Sequence, residues 1–331
     1  MQTNDLTLLR KVVNTTMTWN YRVWGFGEAI SLRGLLRAGE ILQDKVPLAF
    51  VHGVLRSWLG RGVANSPEDH VGAGRELIAM HRVTGDPAFL EAARKMANLH
   101  AQFAPGPHGA RCHRPDTPGW RHQIWVDCMD VDGPFLTALG QYTGETVFTD
   151  QGVKEILGYA RTLQNDNGLL SHGFEKDAGR NGELWARGNG WALMGLVDTL
   201  VTIPRSHPDF EELLGRTLHL VAALKKHQHS EGLWHTVIDQ TETYLESTLA
   251  AMTAYSLNEA FEHGLLEQRD FADMALRARR AMLNQVDANG ALKLVSDATP
   301  VGALSTYASR RFGVFPWGQG PLLLALSQEM K

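Results

Sequence analysis

The sequence predicts an all-α protein, an (α/α)6 barrel of six helical hairpins built as one domain over residues 1–331. Three observations lead there. Apolar residues recur at helical spacing along nearly the whole chain, with no sustained alternation of the kind a half-buried strand shows. The helices so defined fall into pairs, and the second members share a start: an aromatic or polar group, in five of the six with small residues in the first turns. Four long connections, 103–124, 165–187, 229–243 and 285–316, are rich in Gly, Pro, His and Asp. Each leads into a second member, and long loops in a compact domain are commonly functional.

Taken in order, helices are expected over 5–17, 22–38, 47–60, 70–84, 87–102, 129–143, 147–164, 188–203, 208–228, 244–262, 267–284 and 317–329. Short strand candidates lie near Trp234 to Ile238 and Ala291 to Val295. Thr84-Gly85-Asp86-Pro87 ends one helix and starts the next, and Thr143-Gly144-Glu145-Thr146 does the same later. The intervening helices are amphipathic; 87–102 carries Ala93, Met96 and Ala97 on one face and Glu91, Arg94 and Lys95 on another. Inner helices of a closed ring approach closely and so take glycine and alanine. They also run the same way, so their N-termini meet at one end. That brings Trp24, Asp69, Asp127, Arg187, Glu246 and Trp317 around one pocket, where helix dipoles favour anions.

The bulk properties exclude several classes. With 44% hydrophobic residues the chain can build a large core. A formal charge of −4 argues against a general nucleic-acid or anionic-membrane surface. Two cysteines, Cys112 and Cys128, suggest no disulfide framework. The polar stretch Met1 to Thr7 lacks a signal core, and no apolar run approaches a membrane span, so a soluble cytoplasmic protein is expected. The fourteen histidines show no tight ligand spacing, and neither a nucleotide-binding nor a Gly-x-Ser-x-Gly signature occurs, so no metal or cofactor is expected.

The chemistry concentrates at Trp125-Val126-Asp127-Cys128-Met129-Asp130-Val131-Asp132-Gly133-Pro134. Crowded carboxylates add little stability, but a pocket that moves protons has a use for them. Asp130 and Asp132 can equally cap the helix that follows, a reading Pro134 supports. Asp127 and Asp69 are the candidate proton-handling pair, although Asp69 also fits an N-cap. Arg187 lies between Trp185 and Trp191, and offers a fork for a sugar carboxylate beside an indole face; the bland reading is an arginine packed on tryptophan. His113 and His172 sit in long loops, where histidines are often mere surface residues.

These motifs give the chain a resemblance to the unsaturated glucuronyl and rhamnogalacturonyl hydrolases, glycoside hydrolase family 105, with family 88 as a relative. Trp125-Val126-Asp127 followed by Pro134-Phe135-Leu136, and Trp185-Ala186-Arg187-Gly188-Asn189-Gly190-Trp191, carry it most specifically. Tyr21, Trp24, Asp69 with Gly74, His113, His172-Gly173, Tyr244-Leu245-Glu246-Ser247 and Gly318-Gln319-Gly320 follow in the family's order. The resemblance implies an (α/α)6 barrel without a metal, acting on an oligosaccharide that carries a uronic acid. It implies release of a 4,5-unsaturated uronic acid by hydration of the double bond, with Asp127 as the catalytic aspartate and Asp69 as the second. It makes Arg187, His113 and His172 polar ligand contacts, and Tyr21, Trp24, Trp125, Trp185 and Trp191 the aromatic lining. The chain departs from the family at Asp130 and Asp132, where an aromatic or a Met-Ala pair is usual. If Asp130 faces the pocket, it either repels an anionic sugar or pairs with a cation.

Other readings stay open on sequence alone: a uronidase acting on saturated β-glucuronides, a sugar epimerase working through His172 or His235, or a silent carbohydrate-binding protein. The oligomeric state is not legible.

Overall fold

A computed structural model describes residues 3–22, 26–63, 72–113 and 122–328. Its helices are α1 (Thr3–Met17), α2 (Phe26–Leu42), α3 (Lys45–Gly60), α4 (Gly74–Thr84), α5 (Pro87–His100), α6 (Cys128–Thr143), α7 (Thr146–Leu163), α8 (Ala186–Thr202), α9 (Phe210–His227), α10 (Thr248–Glu262), α11 (Gln268–Asn284), α12 (Leu304–Ala308) and α13 (Pro316–Leu326). Each of the twelve expected helices is present; α12, a short turn inside the last long connection, is additional.

The two stop signals work as their residues dictate. Gly85 takes the left-handed conformation at φ 71°, and its N–H returns to the His81 carbonyl. Asp86 then caps α5 by accepting the Ala88 N–H, with Pro87 in the first turn. Gly144, at φ 75°, closes α6 in the same way onto Gly140.

Packing closes the ring. Helices α2, α4, α6, α8, α10 and α13 form the inner circle, each against the next, and α13 packs back on α2. Helices α1, α3, α5, α7, α9 and α11 lie outside. On α8, buried residues run almost without interruption from Ala186 to Leu200, whereas on α11 they are confined to Phe271, Met274, Ala275, Ala278, Ala281 and Met282. A helix apolar all round belongs inside, and one with a single stripe outside. Inner helices touch backbone to backbone: a methyl group at Gly195 would collide with the Met129 carbonyl, and one at Gly320 would lie 2.7 Å from Ile30.

Short strands stitch the long connections together at one end. β1 (Gln123–Trp125) pairs antiparallel with β2 (Gly173–Glu175), which pairs with β3 (Gly179–Arg180). β4 (Trp234–His235) pairs with β5 (Leu245–Glu246), and β6 (Val295–Ser296) with β7 (Phe312–Gly313). Further bonds join neighbouring connections: Val126 N–H to the His172 carbonyl, Ala186 N–H to Thr236, and Ser247 N–H to Leu294. The connections 165–187, 229–243 and 285–316 thus each cross the start of the preceding inner helix. The strand candidates near 234 and 295 are realised as β4 and β6; β1 to β3 are too short to leave a period.

Candidate active site

Register determines what meets at the mouth. The pairing of Trp125 with Gly173 sets Asp127, just past β1, beside His172, just before β2. Asp127 occupies the N-cap position of α6, yet its side chain makes no capping bond. Its Oδ2 lies 3.1 Å from His172 Nε2 instead. His172 Nδ1 lies 2.7 Å from the hydroxyl of Tyr307, on α12. Asp127, His172 and Tyr307 are all buried. Burial, above all, holds the Tyr307 phenol above its ordinary range, so it remains a donor.

Aromatic rings enclose this chain. Trp125 meets the His172 ring edge-on at 5.4 Å, and Trp185 lies 4.4 Å from it. His113 stacks on Trp125 at 4.1 Å with 12° between planes, and its Nδ1 is 3.4 Å from Cys128 Sγ. The carboxylate thus meets an imidazole that is itself flanked by two indoles, and a carboxylate–imidazole pair is a common arrangement for moving protons.

Arg187 stacks on Trp185 at 4.5 Å, as its position between tryptophans suggested. Its fork, however, is turned to protein. Nη1 donates to Glu246 at 2.8 Å and to both oxygens of Ser296; Nη2 donates to the Asp297 carbonyl at 2.9 Å and to Thr299 Oγ1. The expected free fork for a sugar carboxylate is therefore corrected: Arg187 clamps the loop after β6 to the start of α10. Trp191 lies one layer deeper. It is fully buried and packs in one cluster with Trp185, Met194, Val237, Met252 and Tyr307, behind the ring of Trp185.

The three aspartates of α6 have three fates. Asp130 and Asp132 are not caps, because the helix begins at Cys128 and Pro134 stands nearly two turns inside it. A proline there removes the N–H that would bond the Asp130 carbonyl. Arg75 supplies the missing donor, Nη2 to Asp130 O at 2.7 Å, and pairs with the Asp130 carboxylate at 3.0 Å. Arg33 approaches the same carboxylate at 3.5 Å. Both arginines continue to Asp198, at 2.7 Å and 2.6 Å, which also accepts from Tyr255. Burial alone would raise the Asp198 carboxyl, but Arg33 and Arg75 outweigh it and hold it below the ordinary range. Glu76 next to them goes the other way: burial raises it despite both arginines. Asp130 thus pairs with cations across the barrel axis.

Asp132 accepts the Tyr159 hydroxyl at 2.5 Å. With His100 and Glu155 it forms the one convergent set of metal-type side chains among the described residues. These groups bind protein: His100 Nε2 is 2.6 Å from Glu155 Oε2, and Arg111 Nε donates to Glu155 Oε1 at 3.0 Å. A cation would have to displace those bonds, so the set does not fit a metal.

Of the expected site residues, Asp127, His113, Trp125, His172, Trp185 and Arg187 meet at the mouth. Tyr21 stands elsewhere: its hydroxyl bonds Ser31 at 2.8 Å, its ring meets Phe50, and it lines a surface groove on α3 with Val54 and Arg61. Asp69 and Trp24 lie outside the described residues. The sequence reading missed Tyr307 and Asn181, which carry no periodic signal, and Arg33 and Arg75. The arginines were discoverable as charges on helices expected to be inner.

Comparison with known proteins gives the family and the fold. The sequence model of Glycosyl Hydrolase Family 88 matches residues 6–331. The chain belongs to that family of glycosidases. It is 26% identical over 335 residues to the unsaturated rhamnogalacturonyl hydrolase YesR of Bacillus subtilis, covering 98% of this chain and 94% of YesR. The fold matches a crystal structure of a possible GH105 member from Salmonella enterica with a TM-score of 0.88 at 22% identity, covering 99% and 94% of the two chains. It matches the unsaturated glucuronyl hydrolase of Bacillus sp. GL1 with a TM-score of 0.74 at 17% identity, covering 98% and 94%. Among the described residues, no helix is long and apolar enough to cross a membrane.

Proposed function

We propose that this chain removes a 4,5-unsaturated uronic acid from the non-reducing end of lyase-generated oligosaccharides, in the cytoplasm. Asp127 gives a proton to C4 of the double bond and, as the carboxylate so formed, takes one back from the water whose hydroxyl adds at C5. The resulting hemiketal opens to a C5 ketone, and the freed hemiacetal at C1 expels the remaining sugar as an alcohol. Asp69 is the second acidic group, and the rings of Trp125 and Trp185 flank His172, the partner of Asp127. The observation that carries this reading is the buried Asp127, freed from capping and bonded to a histidine within an aromatic shell. Family membership and the name of YesR supply the substrate class. An epimerase working through His172 is disfavoured, because both ring nitrogens already have partners.

The test is an ultraviolet assay. A lyase-generated unsaturated disaccharide should lose its conjugated absorbance on incubation with the protein. Persistence of that absorbance while a saturated β-glucuronide is cleaved would replace this reading with a uronidase.

A further inference from the structure

A line of hydrogen bonds runs from the backbone of Gly173 to Asp127, and its direction can be fixed one link at a time. The Gly173 N–H donates to Asn181 Oδ1 at 3.2 Å. A backbone N–H can only donate, so that end of the amide is its oxygen and the other is its NH2. Asn181 Nδ2 lies 3.0 Å from Tyr307 Oη and 3.3 Å from the Gly302 carbonyl, and donates to both. The Gly302 N–H also donates to Tyr307 Oη, at 3.4 Å. The phenol oxygen therefore accepts twice, and its one proton goes to His172 Nδ1 at 2.7 Å. An imidazole that accepts at Nδ1 carries its proton on Nε2, which faces Asp127 Oδ2.

We infer that Tyr307 and Asn181 are positioning residues that hold His172 as its neutral Nε2–H tautomer, donating to Asp127 Oδ2 and leaving Oδ1 to give and take the catalytic proton. This rests on the proposed role of Asp127. The opposite tautomer would turn a lone pair on the carboxylate and aim Nδ1–H at a phenol whose other neighbours are donors. In the reaction the proton leaves Oδ1 for C4, and the carboxylate so formed keeps its His172 hydrogen bond.

The test uses the full chain with 15N-labelled histidine, the His172 signals being assigned by their absence in His172→Gln. At neutral pH the wild type should show a bare Nδ1 and a protonated Nε2; a protonated Nδ1, alone or with Nε2, overturns the inference. Tyr307→Phe removes the donor. Asn181→Asp keeps an acceptor for Gly173 but draws the Tyr307 proton away from His172. Both variants should lose the fixed tautomer, and kcat should fall about 10- to 100-fold with KM nearly unchanged. An unaltered tautomer and kcat in both would contradict the assignment. The spectra need no turnover, so a wild type inert to unsaturated uronides would sink the proposed activity without touching this result.

Discussion

Asp127 and Asp130 stand one turn apart on the same helix and are equally buried, yet their surroundings differ in kind. Asp130 is held by Arg33 and Arg75, permanent cations on α2 and α4, in a network that crosses the barrel axis to Asp198. Asp127 has an imidazole, itself flanked by aromatic rings. The Asp130 carboxylate is tied to two inner helices through Arg33 and Arg75, whereas among the described residues the Asp127 carboxylate is bonded only at Oδ2, to His172. Two similar residues thus divide the work: one joins the inner helices, and the other is available for chemistry.

The contrast should be plainest in stability. Asp130→Asn removes one of the two carboxylates that Arg33 and Arg75 both pair with, and breaking a buried pair in this way costs about 3–5 kcal/mol. Urea unfolding should show that loss, whereas Asp127→Asn should cost about 1 kcal/mol, the worth of a hydrogen bond. Equal losses would erase the distinction. Glu246→Gln sharpens it, because Arg187 keeps its bonds to Ser296 and Asp297; a loss of about 2 kcal/mol is expected.

Acid and base limbs should separate within the axial network. Asp198, held below its ordinary value, stabilises the fold above the ordinary carboxylate range, and that contribution is lost as pH falls. Glu76, held above its ordinary value, favours the fold at low pH, and its contribution is lost as pH rises through the raised value. Melting temperatures across acidic pH should therefore lose their acid limb in Asp198→Asn and their fall toward neutral pH in Glu76→Gln. The smallest effect belongs to the surface. Glu212, drawn down to about 2 first by Arg161 and then by Arg216, contributes above its ordinary value and loses this as pH falls toward 2. Its side chain is 35% exposed, so Glu212→Gln should cost less than about 1 kcal/mol at neutral pH.

Legibility in the sequence followed burial. The inner and outer helices leave a 3.6-residue imprint because each must bury a face, so all twelve could be placed, with bounds off by a few residues. The mouth leaves none. β1 and β2 are three residues each, and their register, which brings His172 to Asp127, depends on the fold around them. Tyr307 lies on a five-residue helix inside a long connection, with nothing in its neighbours to mark it. Asp130 was ambiguous for a different reason. Proline is most common in a first turn, so Pro134 suggested a later helix start; Arg75, distant in sequence, bonds the carbonyl that the proline leaves open. Arg187 was placed correctly beside Trp185, but Glu246 and Ser296, which take its hydrogen bonds, come from other connections. What the sequence could not convey was the pairing of groups far apart along the chain.

The division between the two aspartates is tested most directly by turnover of a lyase-generated unsaturated disaccharide, followed by loss of its ultraviolet absorbance in wild type, Asp127→Asn and Asp130→Asn under conditions where all three remain folded. Asp127→Asn should lower kcat by on the order of 10²- to 10⁴-fold while still binding the disaccharide, and Asp130→Asn should retain far more activity. A near-wild-type rate in Asp127→Asn, or the greater loss in Asp130→Asn, would contradict the account.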